Sequence, residues 1–194
     1  MTYVHVLPSN RARRCTAVYT SEPKFRSPAQ YDLVLSQFNA DEEFRYQPAP
    51  NGDTFCNIFL WDVTSAMGVE VPHWVLADGT PAEPGAPGAK ETLATYLLNA
   101  WLPGPGAKRG WVRVGSDPAT ARPSAQALAD KGFPVIAGWL NPRGVHSHVA
   151  MVRPNHFGRL ASVPRIAQAG GRSFNDGPLK DGFGAKPVEF WWHD

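Results

Sequence analysis

Cysteine is scarce in this chain: the 194 residues hold two, Cys15 and Cys56. One bridge at most could form, so a disulfide framework is excluded. No stretch approaches the roughly 18 apolar residues that a membrane helix requires. A dominant charge is lacking too, because 19 basic groups against 17 acidic ones leave a formal +2. A protein held mainly by phosphate contacts would be far more basic, so nucleic acid is not an expected partner. Met1 to Cys15 contains no apolar h-region, and Arg11, Arg13 and Arg14 come late in it. No secretory signal is expected there, so the expectation is synthesis in a cytosol with both cysteines as thiols. A role outside the cell would then require another export route.

Apolar residues, by contrast, are plentiful. Hydrophobic side chains make up 43% of the chain and aromatics 11%, with seven Trp and ten Phe. That is enough to bury a sizeable core, and far too apolar for a disordered chain. Eighteen Gly and 19 Pro without a collagen-like period signal many turns around it. Neither an internal repeat nor a domain boundary is visible. One domain over 1–194 is expected, with an irregular segment at 1–26 and a helical and loop insert at 69–122.

Local patterns divide the chain into helices first and strands later. Ser27-Pro28 opens a helix expected over 28–39, with Tyr31, Val34, Leu35 and Phe38 on one face. A second helix, about 54–67, is capped by Asp53 or Thr54 and closed by Gly68. It is apolar over most of its circumference and should be buried. Residues 77–90 form a Pro/Gly/Ala-rich loop. Leu93 to Trp101 marks a third helix, stopped at Pro103-Gly104-Pro105-Gly106, and a fourth covers about 123–131. Strands follow at 134–139, 148–152, 163–169 and 188–191. This order predicts an α+β domain with helices packed on an antiparallel sheet.

Cys56 falls in the first turn of the buried helix, where unpaired N–H groups and the helix dipole favour a thiolate. That placement makes it a candidate nucleophile, although a cysteine is also a small hydrophobe at home in a core. Cys15 has no comparable setting. A nucleophilic cysteine needs a base, and His148 opens a clear strand that would hold its imidazole rigidly at the sheet rim. His146 competes for the role. His5, His73, His156 and His193 lie in or beside irregular segments and are expected to serve locally. A hairpin turn centred on Gly158 would set Gln168 directly across from His148, with Cβ atoms roughly 4.5–5.5 Å apart. Gln168 could then accept from the imidazole and hold its tautomer, as the third residue of a triad does.

The runs Thr54-Phe55-Cys56-Asn57-Ile58-Phe59-Leu60-Trp61-Asp62-Val63 and Gly144-Val145-His146-Ser147-His148-Val149-Ala150-Met151-Val152 carry a family resemblance. Between them, Ala127 to Trp139 is similar to a helix and strand preceding a catalytic histidine. Over roughly 50–175 the chain resembles papain-like cysteine peptidases of the NlpC/P60 and CHAP type, the thiol hydrolases of bacterial cell walls. It departs from many of them in lacking a Ser-Gly-Leu run near the cysteine, with Asn57 following Cys56 directly. The insert at 69–122 is also distinctive. The resemblance implies a papain-like domain with Cys56 as nucleophile, His148 as base and Gln168 as orienting residue. It implies a peptidoglycan endopeptidase or amidase, acting as a monomer without metal or cofactor. Phage lysis or dedicated secretion would deliver it to the wall. Tyr46, Trp61, Trp74 and Trp139 become candidates to line the cleft, with Asn57 and His146 as further substrate contacts.

Other function classes fit the same residues. His146 and His148, with His156 or Asp176, could form a metal site, although the helix-borne His-Glu-x-x-His and any Cys-x-x-Cys pair are missing. A non-catalytic wall-binding module on the same fold is a third reading. A thiol enzyme acting on a host protein is a fourth, since the same covalent chemistry serves different acceptors.

Overall fold

Helix-starting chemistry is obeyed at the first α-helix of the described residues. In the computed structural model, which describes residues 11–144, 146–155 and 163–194, helix α1 spans Pro28–Gln37. Ser27 Oγ accepts from the Gln30 N–H at 3.1 Å, and Pro28 occupies the first helical position, where no N–H is needed. Tyr31, Val34 and Leu35 are buried, as their spacing requires.

Helix α2, Cys56–Ala66, starts two residues later than expected, and neither Asp53 nor Thr54 caps it. Its N-cap is Phe55, which makes no side-chain hydrogen bond. Every residue of α2 except Ser65 is buried. Gly68, at φ +71°, turns the chain away, a conformation that favours glycine. One charge lies inside this apolar helix. Asp62 accepts from Arg45 Nε at 2.7 Å, from Tyr46 Oη at 2.7 Å and from the Cys15 N–H at 3.2 Å. These donors tie the N-terminal segment and the turn Phe44–Tyr46 onto α2.

A short ribbon follows, β1 (Trp74–Val75) antiparallel to β2 (Lys90–Glu91). Helix α3, Ala94–Tyr96, runs on into a π-helical stretch, Leu97–Gly106, and a 3-10 turn, Ala107–Arg109. Pro103 and Pro105 therefore lie within a helical path that was expected to stop there. The wider i→i+5 register moves the carbonyls away from where an α-helix would clash with a proline ring. The Gly/Pro segments of the insert pack on each other: Trp101 Nε1 donates to the Gly79 carbonyl at 2.9 Å, and a Cβ on Gly79 would meet Pro105.

Strand β3 (Val112–Arg113) precedes α4 (Pro118–Ala129), which starts five residues earlier than expected. Asp117 caps it by accepting from the Ala119 N–H at 3.1 Å. Pro123 sits inside the helix and forfeits one backbone bond there. The remaining strands are β4 (Val135–Trp139), β5 (His148–Arg153), β6 (Arg165–Gln168), β7 (Phe174–Pro178) and β8 (Glu189–Trp192). Short helix α5 (Leu179–Phe183) lies between the last two. The six-stranded sheet has the order β3-β8-β4-β5-β6-β7, and every pairing is antiparallel. The class is α+β.

Strand β7 was not expected, because Asn175-Asp176-Gly177-Pro178 has little intrinsic strand preference. It sits at the sheet edge, pairing with β6 alone, where Pro and Gly are tolerated. The central strands β4 and β5 carry the core, with Val135, Ile136, Met151 and Val152 fully buried. Helix α2 packs on β5, which brings the Cys56 end of one to the His148 end of the other.

Candidate active site

Cys56 is the first residue of α2, buried at 5% exposure. Backbone N–H dipoles act on its thiol from Val149, which follows His148 on β5, from Asn57 and from Cys56 itself. These dipoles pull the thiol pKa down, but burial acts more strongly and leaves it above the ordinary thiol value. The expectation of a stabilised resting thiolate is therefore corrected. Dehydration of the sulfur outweighs the helix N-terminus. No side chain caps α2, and the guanidinium of Arg11 lies 3.5 Å over the ring of its N-cap residue, Phe55. Arg11 also donates to the carbonyls of Phe44, Arg45 and Gln47 at 2.9–3.0 Å.

His148 opens β5 as expected, and its Nε2 lies 2.7 Å from Gln168 Oε1. The Gln168 amide is fixed from its other side, where Nε2 donates to the Arg172 carbonyl at 2.8 Å. An amide so anchored offers only its oxygen to the imidazole. In neutral His148 the proton must then sit on Nε2, leaving Nδ1 as the free basic nitrogen. Burial holds the imidazolium below the ordinary histidine pKa; the Gln168 contact opposes this and the Lys186 charge adds to it. Burial thus acts on both groups toward their uncharged forms, the thiol of Cys56 and the neutral imidazole of His148.

The route by which Gln168 reaches His148 differs from the expected one. Strands β5 and β6 pair as Met151↔Ala167, Val152↔Ile166 and Arg153↔Arg165, two residues away from a direct His148–Gln168 opposition. Because a two-residue shift preserves the face, Gln168 still meets His148, on the diagonal. The turn centre proposed at Gly158 lies outside the described residues. Gly170 approaches the imidazole instead, and a Cβ there would stand 3.3 Å from His148 Cε1.

A cleft of about 330 Å³ opens in front of Cys56, bordered by Asp53, Thr54, Glu91, Leu93 and His146. His146 is exposed at this cleft, but it precedes β5 and so does not share a strand face with His148. Asn57 also borders the cleft, yet its amide is committed inward, to His73 Nδ1 at 3.2 Å and the Thr92 carbonyl at 2.8 Å. Tyr46 and Trp61, expected as cleft aromatics, are core residues instead. Tyr46 is bonded to Asp62, and Trp61 Nε1 donates to Glu70 at 2.7 Å. Trp74 is half-buried on β1, edge-on to the His73 ring. Trp139 is the expected aromatic that does reach the site: it is the cross-strand partner of His148 and half-exposed. The Gly/Pro segments 79–89 and 103–106 do not border the cleft; of the insert, Glu91, Leu93 and Ala94 do.

Several residues at the site had no local signal in the sequence. The Phe183 ring lies 4.9 Å from that of His148, and Gly182 passes so close to Gln168 that a Cβ would collide with Oε1. His73, expected to be local or superficial, is buried, with Nε2 3.2 Å from Glu91 Oε1. Asp176 is engaged by Arg165 at 2.6 Å, and His156 lies outside the described residues. Among the described residues there is no group of three His, Cys, Asp or Glu placed to hold a metal. No helix of the described residues is long and apolar enough to cross a membrane. Compared with known proteins, the chain matches no family model and no curated protein.

Proposed function

We propose that this chain is a cysteine-dependent amidohydrolase with a papain-like domain of the NlpC/P60 and CHAP type. Its substrate is an amide bond of bacterial peptidoglycan, within the stem peptide or between peptide and sugar. The observation that carries the reading is the Arg172–Gln168–His148 chain of hydrogen bonds beside the Cys56 end of α2. It leaves Nδ1 of His148 as a base with a fixed direction, which a merely structural histidine would not need.

In the reaction, His148 Nδ1 takes the thiol proton as Cys56 Sγ attacks the amide carbonyl carbon. The negative charge moves to the carbonyl oxygen, where the backbone N–H of Cys56 at the start of α2 can meet it. Collapse breaks the C–N bond, and His148 returns its proton to the departing amine. Water then attacks the thioester, again losing a proton to His148, and the acid leaves as the thiol re-forms. Activation of a neutral thiol at the moment of attack suits the depressed imidazole and raised thiol pKa. A protein made in a cytosol would reach this substrate by lysis or by dedicated secretion.

Cys56→Ala should abolish clearing of purified sacculi while leaving the circular dichroism spectrum unchanged. Clearing at the wild-type rate by that variant would end the thiol reading. Mass spectrometry of released fragments identifies the scissile bond.

A further inference from the structure

Lys186 follows α5, and its side chain lies on the His148 side of the site. The ammonium stands 4.8 Å from the centre of the Trp139 ring, and Trp139 is the cross-strand partner of His148. The carboxylates that flank it in sequence are engaged elsewhere. Glu189 pairs with Arg113 at 3.0 Å, and Asp181 faces Arg172 at 4.0 Å. Among the described residues no carboxylate forms an ion pair with Lys186. The indole beneath it fixes where this charge sits without neutralising it.

An uncompensated cation beside a general base opposes the chemistry proposed above, because His148 must become an imidazolium during the reaction. The Lys186 charge already disfavours that form in the free protein. An anionic group bound to the ammonium would remove the repulsion at the step where it matters. The cleft on the Cys56 side has the opposite character, since Asp53 and Glu91 border it.

We propose that Lys186, held over Trp139, is the carboxylate-binding residue of this site, and that the substrate bears a free carboxylate beside the scissile amide. This rests on the thiol-hydrolase reading and deepens it, because it specifies a charge that the substrate must carry. A substrate in which that carboxylate is converted to a carboxamide keeps its shape but loses the pairing. Arg can replace Lys as the cation, whereas Gln cannot.

The test uses purified sacculi in two forms, untreated and with their carboxylates converted to carboxamides by carbodiimide and ammonia. Wild-type protein should release fragments from the untreated form about tenfold faster, the ratio corresponding to 1.4 kcal/mol. Lys186→Gln should lower the rate on untreated sacculi to that on the amidated form, and Lys186→Arg should retain the preference. Equal wild-type rates on both forms, or an unchanged preference in Lys186→Gln, would overturn the proposal while the thiol reading stands, provided Cys56→Ala is inactive. Activity in Cys56→Ala, or no release from either form by the wild type, removes the thiol or peptidoglycan reading and this proposal with it.

Discussion

His148 Nε2 and Gln168 Oε1 meet at 2.7 Å across a diagonal of the β5–β6 pair, not across a direct opposition. The contact has a defined sense because Gln168 is anchored at its nitrogen by the Arg172 carbonyl. Imidazole orientation, and hence the direction of the free Nδ1, depends on one buried amide.

Gln168→Ala should therefore lower kcat by about two orders of magnitude, the usual worth of a positioned base, with little change in KM. Gln168→Glu makes a sharper test. A carboxylate at the same atom favours the imidazolium, so the acidic limb of the kcat/KM profile should move to higher pH. A limb that stays in place would show that Gln168 does not touch the base in solution.

The two pKa directions predict a neutral resting pair. Burial depresses His148 and raises Cys56, so the acidic limb of activity should fall below the ordinary histidine value of about 6.5. For stability, a depressed histidine contributes fully above its unfolded pKa, and that contribution is lost as pH falls through the folded one. Thermal midpoints measured down through this window should drop more for wild type than for His148→Phe. Titration of the Cys56 thiol by ultraviolet absorbance should give a midpoint above about 8.5. Cys15, whose thiol is pushed up to about 12 by burial and then by Asp62, should resist iodoacetamide while the protein stays folded. A midpoint below neutrality for Cys56 would indicate a preformed ion pair instead.

Gly182 is required by contact and not by backbone conformation. A Cβ there collides with Gln168 Oε1 and comes within 2.7 Å of Ile166 Cδ1. Gly182→Ala should displace the amide and reduce kcat by at least about tenfold, while overpacking lowers stability by about 1–3 kcal/mol. Urea denaturation with parallel sacculus assays separates the two effects. Unchanged activity would place α5 further from Gln168 than the structure has it.

Much of the scaffold was legible in local pattern. Ser27-Pro28 announced α1, the apolar circumference of 56–66 announced a buried helix, and β-branched runs marked β4 and β5. Local signals failed where tertiary packing overrides them. Pro103 and Pro105 continue a helix because the π register accommodates them and Trp101 anchors it to Gly79. Phe55 begins α2 without a polar side-chain cap, and its ring is covered by Arg11, 44 residues away in sequence. Strand β7 exists because an edge position accepts residues that a central strand would reject.

At the site, sequence alone picked out Cys56, His148 and Gln168 as candidates, since helix starts, strand starts and strand-face alternation are local properties. Alternation also explains why an error of two residues in register left Gln168 on the correct face. It could not determine which aromatics reach the cleft: Tyr46 and Trp61 went to the core, and Trp139 to the side of His148. Nor could it find Lys186, Gly182 and Phe183, which arrive from a segment remote in sequence. Burial sets the direction of the Cys56 shift as well, because removing water from the thiol outweighs the dipole that its position on the helix supplies. Local sequence specified the candidate groups, whereas long-range packing decided what surrounds them, because burial and cross-strand contacts depend on segments far apart in the chain.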